Sequence, residues 1–264
     1  MDAQALHPVL QGLLGSLAAA LATGLGALAI FLRRTWGRRS QAITLAGAGG
    51  VMLGATVFSL LLPAMAIGAA RGGGPVAGAL VAAGGMLLGA VAIHLLHQAV
   101  PHEHPGRGPE GPRGRGLGLG RHWLFVLAIT LHNLPEGLSV GVGYGESAAT
   151  GLAVMLGIGA QNVPEGLAVA AALADGGASR TRAFVVALLS GLVEPLGALT
   201  GALAASSAAG ALPWALAFAG GAMFFVVSGE IIPETHREGR ERAATFALVG
   251  GFVLMLLLDV LLDA

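Results

Sequence analysis

Two short polar segments interrupt an otherwise apolar chain, and both follow the same pattern. The first is His132-Asn133-Leu134-Pro135-Glu136-Gly137, and the second is Gln161-Asn162-Val163-Pro164-Glu165-Gly166, which starts 29 residues later (161 minus 132). Each offers an imidazole or amide, a second amide and a carboxylate, and these groups bind divalent cations such as Zn²⁺. Polar groups in apolar surroundings cost free energy, so we expect these segments, the first and second box, to line a metal pathway.

Spacing inside each box places its polar groups together. His132 and Glu136 are four residues apart, as are Gln161 and Glu165, so each pair shares one face of a helix. The proline of each box has no N–H to donate to the carbonyl group four residues earlier. We therefore expect both helices to break there, and the freed carbonyl oxygens to serve as further ligands or as water sites.

The composition places these boxes in a membrane protein. Hydrophobic residues make up 55% of the chain and charged residues only 11%, whereas about 25% charge is usual for a soluble domain. Cysteine and lysine are absent, and the formal net charge is zero. These features exclude a disulfide framework and a thiolate metal site, and they give no support for a nucleic-acid partner. We expect one transmembrane domain, covering 1–264, embedded in lipid.

Eight long apolar segments predict an all-α polytopic membrane protein. A β-barrel is disfavoured because its segments alternate over about 10 residues, and these segments are continuous. The longest connection, 99–121, is rich in Gly, Pro and Arg and is expected to be a mobile cytoplasmic loop. The predicted spans are 9–32, 42–69, 76–98, 122–144, 149–173, 181–206, 211–232 and 243–263.

Arginine placement predicts the orientation of the spans. Thirteen arginines fall in one alternating set of loops, and a single one, Arg71, falls on the other side. This bias is a strong positive-inside signal. An even number of spans follows, with both termini on the periplasmic or extracellular side.

Both boxes are predicted at the same depth in the membrane. His132 lies about 10 residues into its span, or ~15 Å along the helix, near the midplane of a ~30 Å core. Gln161 lies about 12 residues into the next span, again near the middle. Because these two spans run in opposite directions, they predict an inverted-repeat transporter bundle with helices four and five at its centre.

Other polar side chains extend the predicted site. Glu194, beside Pro195, is also near the midplane and supplies a third buried carboxylate. Met52 offers a thioether from the second helix, with apolar packing as the alternative. His102 and His104 offer a metal site in the long loop, with a solvated linker as the alternative. An exit pathway is expected from Glu230, Glu234, His236, His94 and His97.

At the two boxes the sequence resembles the ZIP (Zrt-, Irt-like) family of divalent metal transporters, in its bacterial branch. The first box is similar to the family's fourth-helix motif, and the second to its fifth-helix motif. The similarity covers most of the chain and extends to Phe58-Ser59-Leu60 with Pro63, to Gly191 with Glu194-Pro195, and to Glu230-Ile231-Ile232-Pro233-Glu234.

The resemblance implies a binuclear metal centre between helices four and five, in which two glutamates bridge the metals. One metal would use His132, Glu136, Gln161 and Glu165, with Met52 as a further ligand, and the other would use Asn133, Glu136, Asn162, Glu165 and Glu194. Two residues depart from the family pattern. Some bacterial members have Asp where this chain has Asn162, and members often have His where this chain has Gly229.

The resemblance also implies uptake of Zn²⁺, and of Cd²⁺, Fe²⁺ or Mn²⁺, across the bacterial inner membrane into the cytoplasm. A transport bundle would move against a scaffold in an elevator-like, alternating-access mechanism within a homodimer.

Two other functions remain open from the residues themselves. An intramembrane metal hydrolase would need three protein ligands, an open metal position and a base, and no second intramembrane histidine is expected near His132. A metal-binding membrane protein that does not transport would bind metal tightly and show no flux.

Overall fold

The apolar segments form long helices. The structure, a computed structural model, describes residues 7–32, 37–99, 102–104, 108–110, 121–207, 210–236, 239 and 241–263. The α-helices are α1 (Pro8–Leu32), α2 (Arg38–Ala55), α3 (Leu62–Gly68), α4 (Gly74–Ala99), α5 (Arg121–Glu146), α6 (Ala148–Asp175), α7 (Arg180–Gly191), α8 (Glu194–Ser206), α9 (Ala211–Val226), α10 (Ile232–Thr235) and α11 (Glu241–Asp263).

The helices confirm a polytopic α-helical membrane protein. Among the described residues, seven helical stretches are long and apolar enough to cross a membrane. The helix that carries the first box, α5, is 26 residues long and is not among the seven. The count of eight spans and the inverted repeat therefore stay predictions, and seven of the fourteen arginines that predict orientation lie outside the described residues.

The connection after α4 contains structure that its composition did not predict. Two three-residue strands, β1 (His102–His104) and β2 (Gly108–Glu110), pair antiparallel, with His102 opposite Glu110 and His104 opposite Gly108. That 99–121 is a mobile cytoplasmic loop stays a prediction. The side chains of His102 and His104 lie outside the described part of the chain, so the predicted loop metal site stays a prediction.

Helix irregularities occur at other prolines than those of the boxes. Both α5 and α6 continue through Pro135 and Pro164, so the expectation that the boxes break their helices is wrong. Instead, π-helical segments at Thr56–Leu61 and Val227–Ile231 lead into Pro63 and Pro233. A wider turn accommodates the proline ring, which would clash with the carbonyl four residues earlier in an α-helix. A third π-helical segment, Ala69–Gly73, precedes α4.

Close glycine contacts join neighbouring helices, and we group the joined helices into two units. A Cβ added at Gly26 of α1 would lie 1.8 Å from the carbonyl oxygen of Val163 on α6, and one at Gly141 of α5 would lie 2.0 Å from that of Ala198 on α8. Glycine permits this approach because it has no side chain. Together with α7, these helices form what we call the site unit (α1, α5, α6, α7, α8).

The remaining helices are joined in the same way. A Cβ at Gly50 of α2 would lie 1.9 Å from the carbonyl oxygen of Leu248 on α11, and one at Gly89 of α4 would lie 2.0 Å from that of Phe218 on α9. We call α2, α3, α4, α9, α10 and α11 the frame unit. Among the described glycines, each one whose added Cβ would come within 2.3 Å of a partner helix's carbonyl oxygen has that partner in its own unit.

Contacts between the two units are made by side chains. Gly157 of the site unit faces the side chains of Val51 and Met255 of the frame unit. The hydroxyl of Ser139 on α5 donates to the sulfur of Met223 on α9 at 2.8 Å. The two units therefore meet along a surface without close backbone contacts among the described glycines.

Candidate functional site

The two boxes face each other across the α5–α6 hairpin. Ser147 connects these helices, and its hydroxyl caps α6 by accepting from the backbone N–H of Thr150 at 3.0 Å. Deeper in the hairpin, Nε2 of Gln161 donates to Oε1 of Glu136 at 2.5 Å, and both side chains are fully buried. The predicted meeting of the boxes at one depth is thus realised by a direct hydrogen bond.

A second amide holds the third carboxylate. Nδ2 of Asn162 donates to Oε1 of Glu194 at 2.7 Å and to the backbone oxygen of Ala19 at 2.9 Å. Glu194 lies in the first turn of α8, where the positive end of the helix dipole favours a carboxylate. The hydroxyl of nearby Ser190 donates to the backbone oxygen of Ala187, so Asn162 is the side chain that bonds to Glu194 among the described hydrogen bonds.

The boxes expose a set of oxygen atoms to one another. Glu136, Glu165 and Glu194 are buried and close enough for their charges to repel. Burying each carboxylate costs several kcal/mol unless an opposite charge or donors compensate. Five buried oxygens have no hydrogen-bond partner among the described residues: Glu136 Oε2, Gln161 Oε1, Asn162 Oδ1, Glu165 Oε1 and Glu194 Oε2. This lining of acceptors suits a divalent cation.

The box glycines set the spacing around these oxygens. A Cβ added at Gly137 would lie 1.9 Å from the backbone oxygen of Glu194, and one added at Gly166 would lie 1.9 Å from that of Thr23. Each box is therefore pressed onto the main chain of a neighbouring helix, α8 for the first and α1 for the second. The pattern Asn-x-Pro-Glu-Gly ends in glycine because any side chain there would force these helices apart.

The imidazole of His132 makes its strongest described contact outside the boxes. It hydrogen-bonds to Oε2 of Glu230, and Nδ1 of His97 on α4 lies 3.2 Å from Oε1 of the same glutamate. All three side chains are buried, and one ligand atom from each lies within 4.8 Å of the others. Two imidazoles and a carboxylate form a donor set that binds Zn²⁺.

This cluster corrects one expectation and adds a contact to another. His97 is a second histidine beside His132, with ring centroids 6.2 Å apart, so the expectation that none would lie near is wrong. Glu230 and His97, predicted on an exit pathway, lie next to a box residue. Glu230 lies in the π-helical segment Val227–Ile231, which connects α9 and α10 and which we count with the frame unit. The frame unit therefore contributes Glu230 to this cluster.

The other predicted exit residues are not part of this cluster. His94 is exposed, shares a 2.9 Å hydrogen bond with Gln98 and contacts the ring of Phe225. His236 bonds to the backbone oxygen of Ile232 at 3.0 Å and to Thr245 of α11 at 3.1 Å.

Glu234 is half-buried in α10. The structure places Met52 in the apolar core, with its backbone oxygen accepting from Thr56. Asn133 is buried, and its Nδ2 has no partner among the described residues.

Helix α1 adds a wall to the site that its apolar sequence did not indicate. The backbone oxygen of Ala19 accepts from Asn162, and the buried hydroxyl of Thr23 has no partner in the described part of the chain. A second unpredicted contact joins Ser59 to Asp259 of α11 at 2.6 Å. From sequence alone, a single small polar residue in an apolar segment cannot be distinguished from a residue that only packs.

The part of the chain that matches known proteins includes the residues of this site. A family model described as ZIP Zinc transporter matches residues 116–259, which include both boxes, Glu194 and Glu230. The chain is 50% identical over 249 residues to the zinc transporter GufA of Myxococcus xanthus, covering 94% of this chain and 97% of that protein.

Two further relatives are similar over almost the whole chain. The zinc transporter ZIPB of Bordetella bronchiseptica is 47% identical over 248 residues, which covers 93% of this chain and 79% of that protein. The zinc transporter ZupT of Akkermansia muciniphila is 32% identical over 268 residues, which covers 97% of this chain and 98% of that protein.

Proposed function

The chain belongs to the ZIP family of zinc transporters, and from this membership we propose that it carries Zn²⁺ across the membrane into the cytoplasm through the two boxes. One observation carries the proposal: five buried oxygen atoms on α5, α6 and α8 have no hydrogen-bond partner among the described residues. In a membrane protein such a polar lining is costly unless it binds a cation. Cd²⁺, Fe²⁺ and Mn²⁺ have overlapping ligand preferences and are candidate substrates of the same site.

We assign the substrate ligands to the boxes and to Glu194. The carboxylates and amide oxygens described above supply them, and the close approach of three carboxylates supports two metal positions bridged by Glu136 and Glu165. Met52 is at most a neighbour, because it packs in the apolar core. The residues assigned to bind the cation are His132, Asn133, Glu136, Gln161, Asn162, Glu165 and Glu194.

An elevator-like movement fits the two units. Every residue assigned to bind the substrate belongs to the site unit, whose helices are held together by glycine-to-backbone contacts. In the frame unit the same kind of contact joins α2 to α11 and α4 to α9, and no described glycine makes one between the two units. Side-chain contacts can exchange partners during sliding far more readily than interlocked backbones, so we propose that the site unit moves against the frame.

The frame residues His97 and Glu230 extend the route toward the cytoplasm. They meet His132 in a cluster that shares one imidazole with the first box. Direction follows from the arginine bias, which places the α4–α5 connection and the N-terminal end of α11 on the cytoplasmic side. Eight spans, an inverted repeat, both termini outside, an inner-membrane location and a homodimer complete this proposal.

Membership of the ZIP family favours transport over hydrolysis and over metal binding without transport. The number of histidines near the boxes does not separate these functions. The set of His97, His132 and Glu230 also has the composition of a catalytic zinc site. Zinc flux across sealed vesicles separates transport from hydrolysis and from simple binding.

The decisive experiment measures zinc uptake by purified protein in liposomes loaded with a zinc-sensitive dye. Glu165→Ala is expected to abolish uptake while the protein still inserts and remains monodisperse. Glu241→Ala, an exposed glutamate at the start of α11, is the matched control and is expected to transport normally. Normal uptake by Glu165→Ala would remove the site assignment, and no uptake by the unaltered protein would remove the proposed function.

A further inference from the structure

The side-chain amide of Asn162 donates hydrogen bonds to two neighbouring helices, a role separate from that of a metal ligand. Its Nδ2 donates two hydrogen bonds, at 2.7 Å to Glu194 Oε1 on α8 and at 2.9 Å to the backbone oxygen of Ala19 on α1. Glu194 and Ala19 are fully buried, as is Asn162 itself. One NH₂ group thus links three helices of the site unit.

Chemistry fixes which end of the amide faces Ala19. A backbone carbonyl oxygen can only accept a hydrogen bond, so the atom that meets it must be the nitrogen. An aspartate at position 162 would have no N–H groups. It would also bring a carboxylate against two acceptors, the carbonyl oxygen of Ala19 and the carboxylate of Glu194.

The neighbouring residue repeats the arrangement toward the other box. Gln161 donates to Glu136 Oε1 and leaves its own Oε1 and Glu136 Oε2 without partners among the described residues. Asn162 does the same with Glu194, leaving Asn162 Oδ1 and Glu194 Oε2. Each amide therefore engages one carboxylate oxygen through N–H, which leaves two other oxygens of the pair available as ligands of a substrate cation.

We propose that Asn162 is a positioning residue that holds Glu194 to α1 while the transporter carries no cation. This inference rests on the proposed function, because a carrier must return without its substrate. In that step no metal charge offsets three neighbouring buried carboxylates, and N–H donors are what keeps Glu194 in place. The N–H groups of Asn162 stabilise the cation-free site in a way that a carboxylate at 162 cannot.

Two transport modes separate this role from ligation. Net uptake into zinc-free liposomes requires the empty carrier to return, whereas exchange of radioactive zinc between two zinc-containing sides does not. Asn162→Asp is expected to lower net uptake about tenfold more than it lowers exchange, the effect of losing one hydrogen bond to a charged group, whatever change of ligand does to both modes together. A ligand-only role predicts equal or better binding by aspartate and no difference between the two modes.

Asn133→Asp is the matched comparator, since Asn133 holds the equivalent place in the first box. Its Nδ2 has no partner among the described residues, so aspartate there adds the same charge without removing a donated hydrogen bond. That variant is expected to change net uptake and exchange by the same factor. The reversed pair Asn162→Asp with Glu194→Gln, which restores an N–H donor, is expected to recover part of the ratio of net uptake to exchange.

Folding is monitored by melting temperature in detergent. If Asn162→Asp does not fold, Asn162→Ser decides, because one hydroxyl can serve only one of the two acceptors and should give an intermediate ratio. An unchanged ratio in the folded variants, or an equal change in both modes, would overturn the inference. Absence of both modes in the unaltered protein would instead contradict the proposed function.

Discussion

His132 and Glu230, 98 residues apart in the chain, are hydrogen-bonded to each other inside the protein. His132 belongs to the first box and to the site unit, and Glu230 belongs to the frame unit. This pair is thus a polar contact between the site unit and the frame unit, next to the first box. His97 lies on the far side of Glu230, so the frame presents an imidazole and a carboxylate together.

His97→Ala is expected to slow zinc transport about tenfold at saturating zinc, because it removes a neutralising partner of buried Glu230 and one donor of the cluster. Initial uptake rates in liposomes over a range of zinc concentrations measure the effect. His94→Ala is the matched control, since His94 lies one turn earlier on α4 but is exposed and contacts Gln98. Equal rates in both variants would exclude His97 from the route.

Gly137→Ala is expected to destabilise the folded protein by about 1–3 kcal/mol or more, because the new Cβ would overlap the backbone of Glu194. Thermal unfolding in detergent measures the loss. Gly250→Ala on α11 is the control, since a Cβ there meets nothing within 4 Å and alanine favours helices. A melting temperature for Gly137→Ala equal to that of the unaltered protein would show that α5 and α8 are not closely packed.

Cross-linking the two units is expected to stop transport. The chain has no cysteine, so Val51→Cys with Gly157→Cys introduces one defined pair. A Cβ at Gly157 would lie 3.4 Å from Cγ1 of Val51, so the two introduced side chains would be in contact between α2 and α6. Zinc uptake should fall on oxidation and return on reduction.

A cross-link inside the site unit provides the contrast. In Gly12→Cys with Ala202→Cys, the two Cβ atoms would be 3.8 Å apart, the usual distance in a disulfide. Oxidation of this pair should leave uptake unchanged because both helices move together. Transport that persists when α2 and α6 are joined would contradict the sliding of the two units.

The sequence predicted that the two boxes meet, because counting residues along two antiparallel helices places them side by side. Gln161 and Glu136 meet as that count requires. The contact between His132 and Glu230 was not predicted. It depends on how α9 packs against α4 and α5, and the spacing of residues along the chain does not determine that packing. The helix breaks were also misplaced, because Pro135 and Pro164 are accommodated in continuous helices while Pro63 and Pro233 follow π-helical turns.

Gly137 and Gly166 press against main-chain atoms of Glu194 and Thr23, and this has a consequence for ion choice. These contacts hold the backbone of α5 against α8 and that of α6 against α1, and changing the ligand side chains leaves them in place. Substitutions among the ligands therefore change the number of charges and the softness of the donors on helices that stay in contact. We expect the choice among cations of similar radius to follow that chemistry.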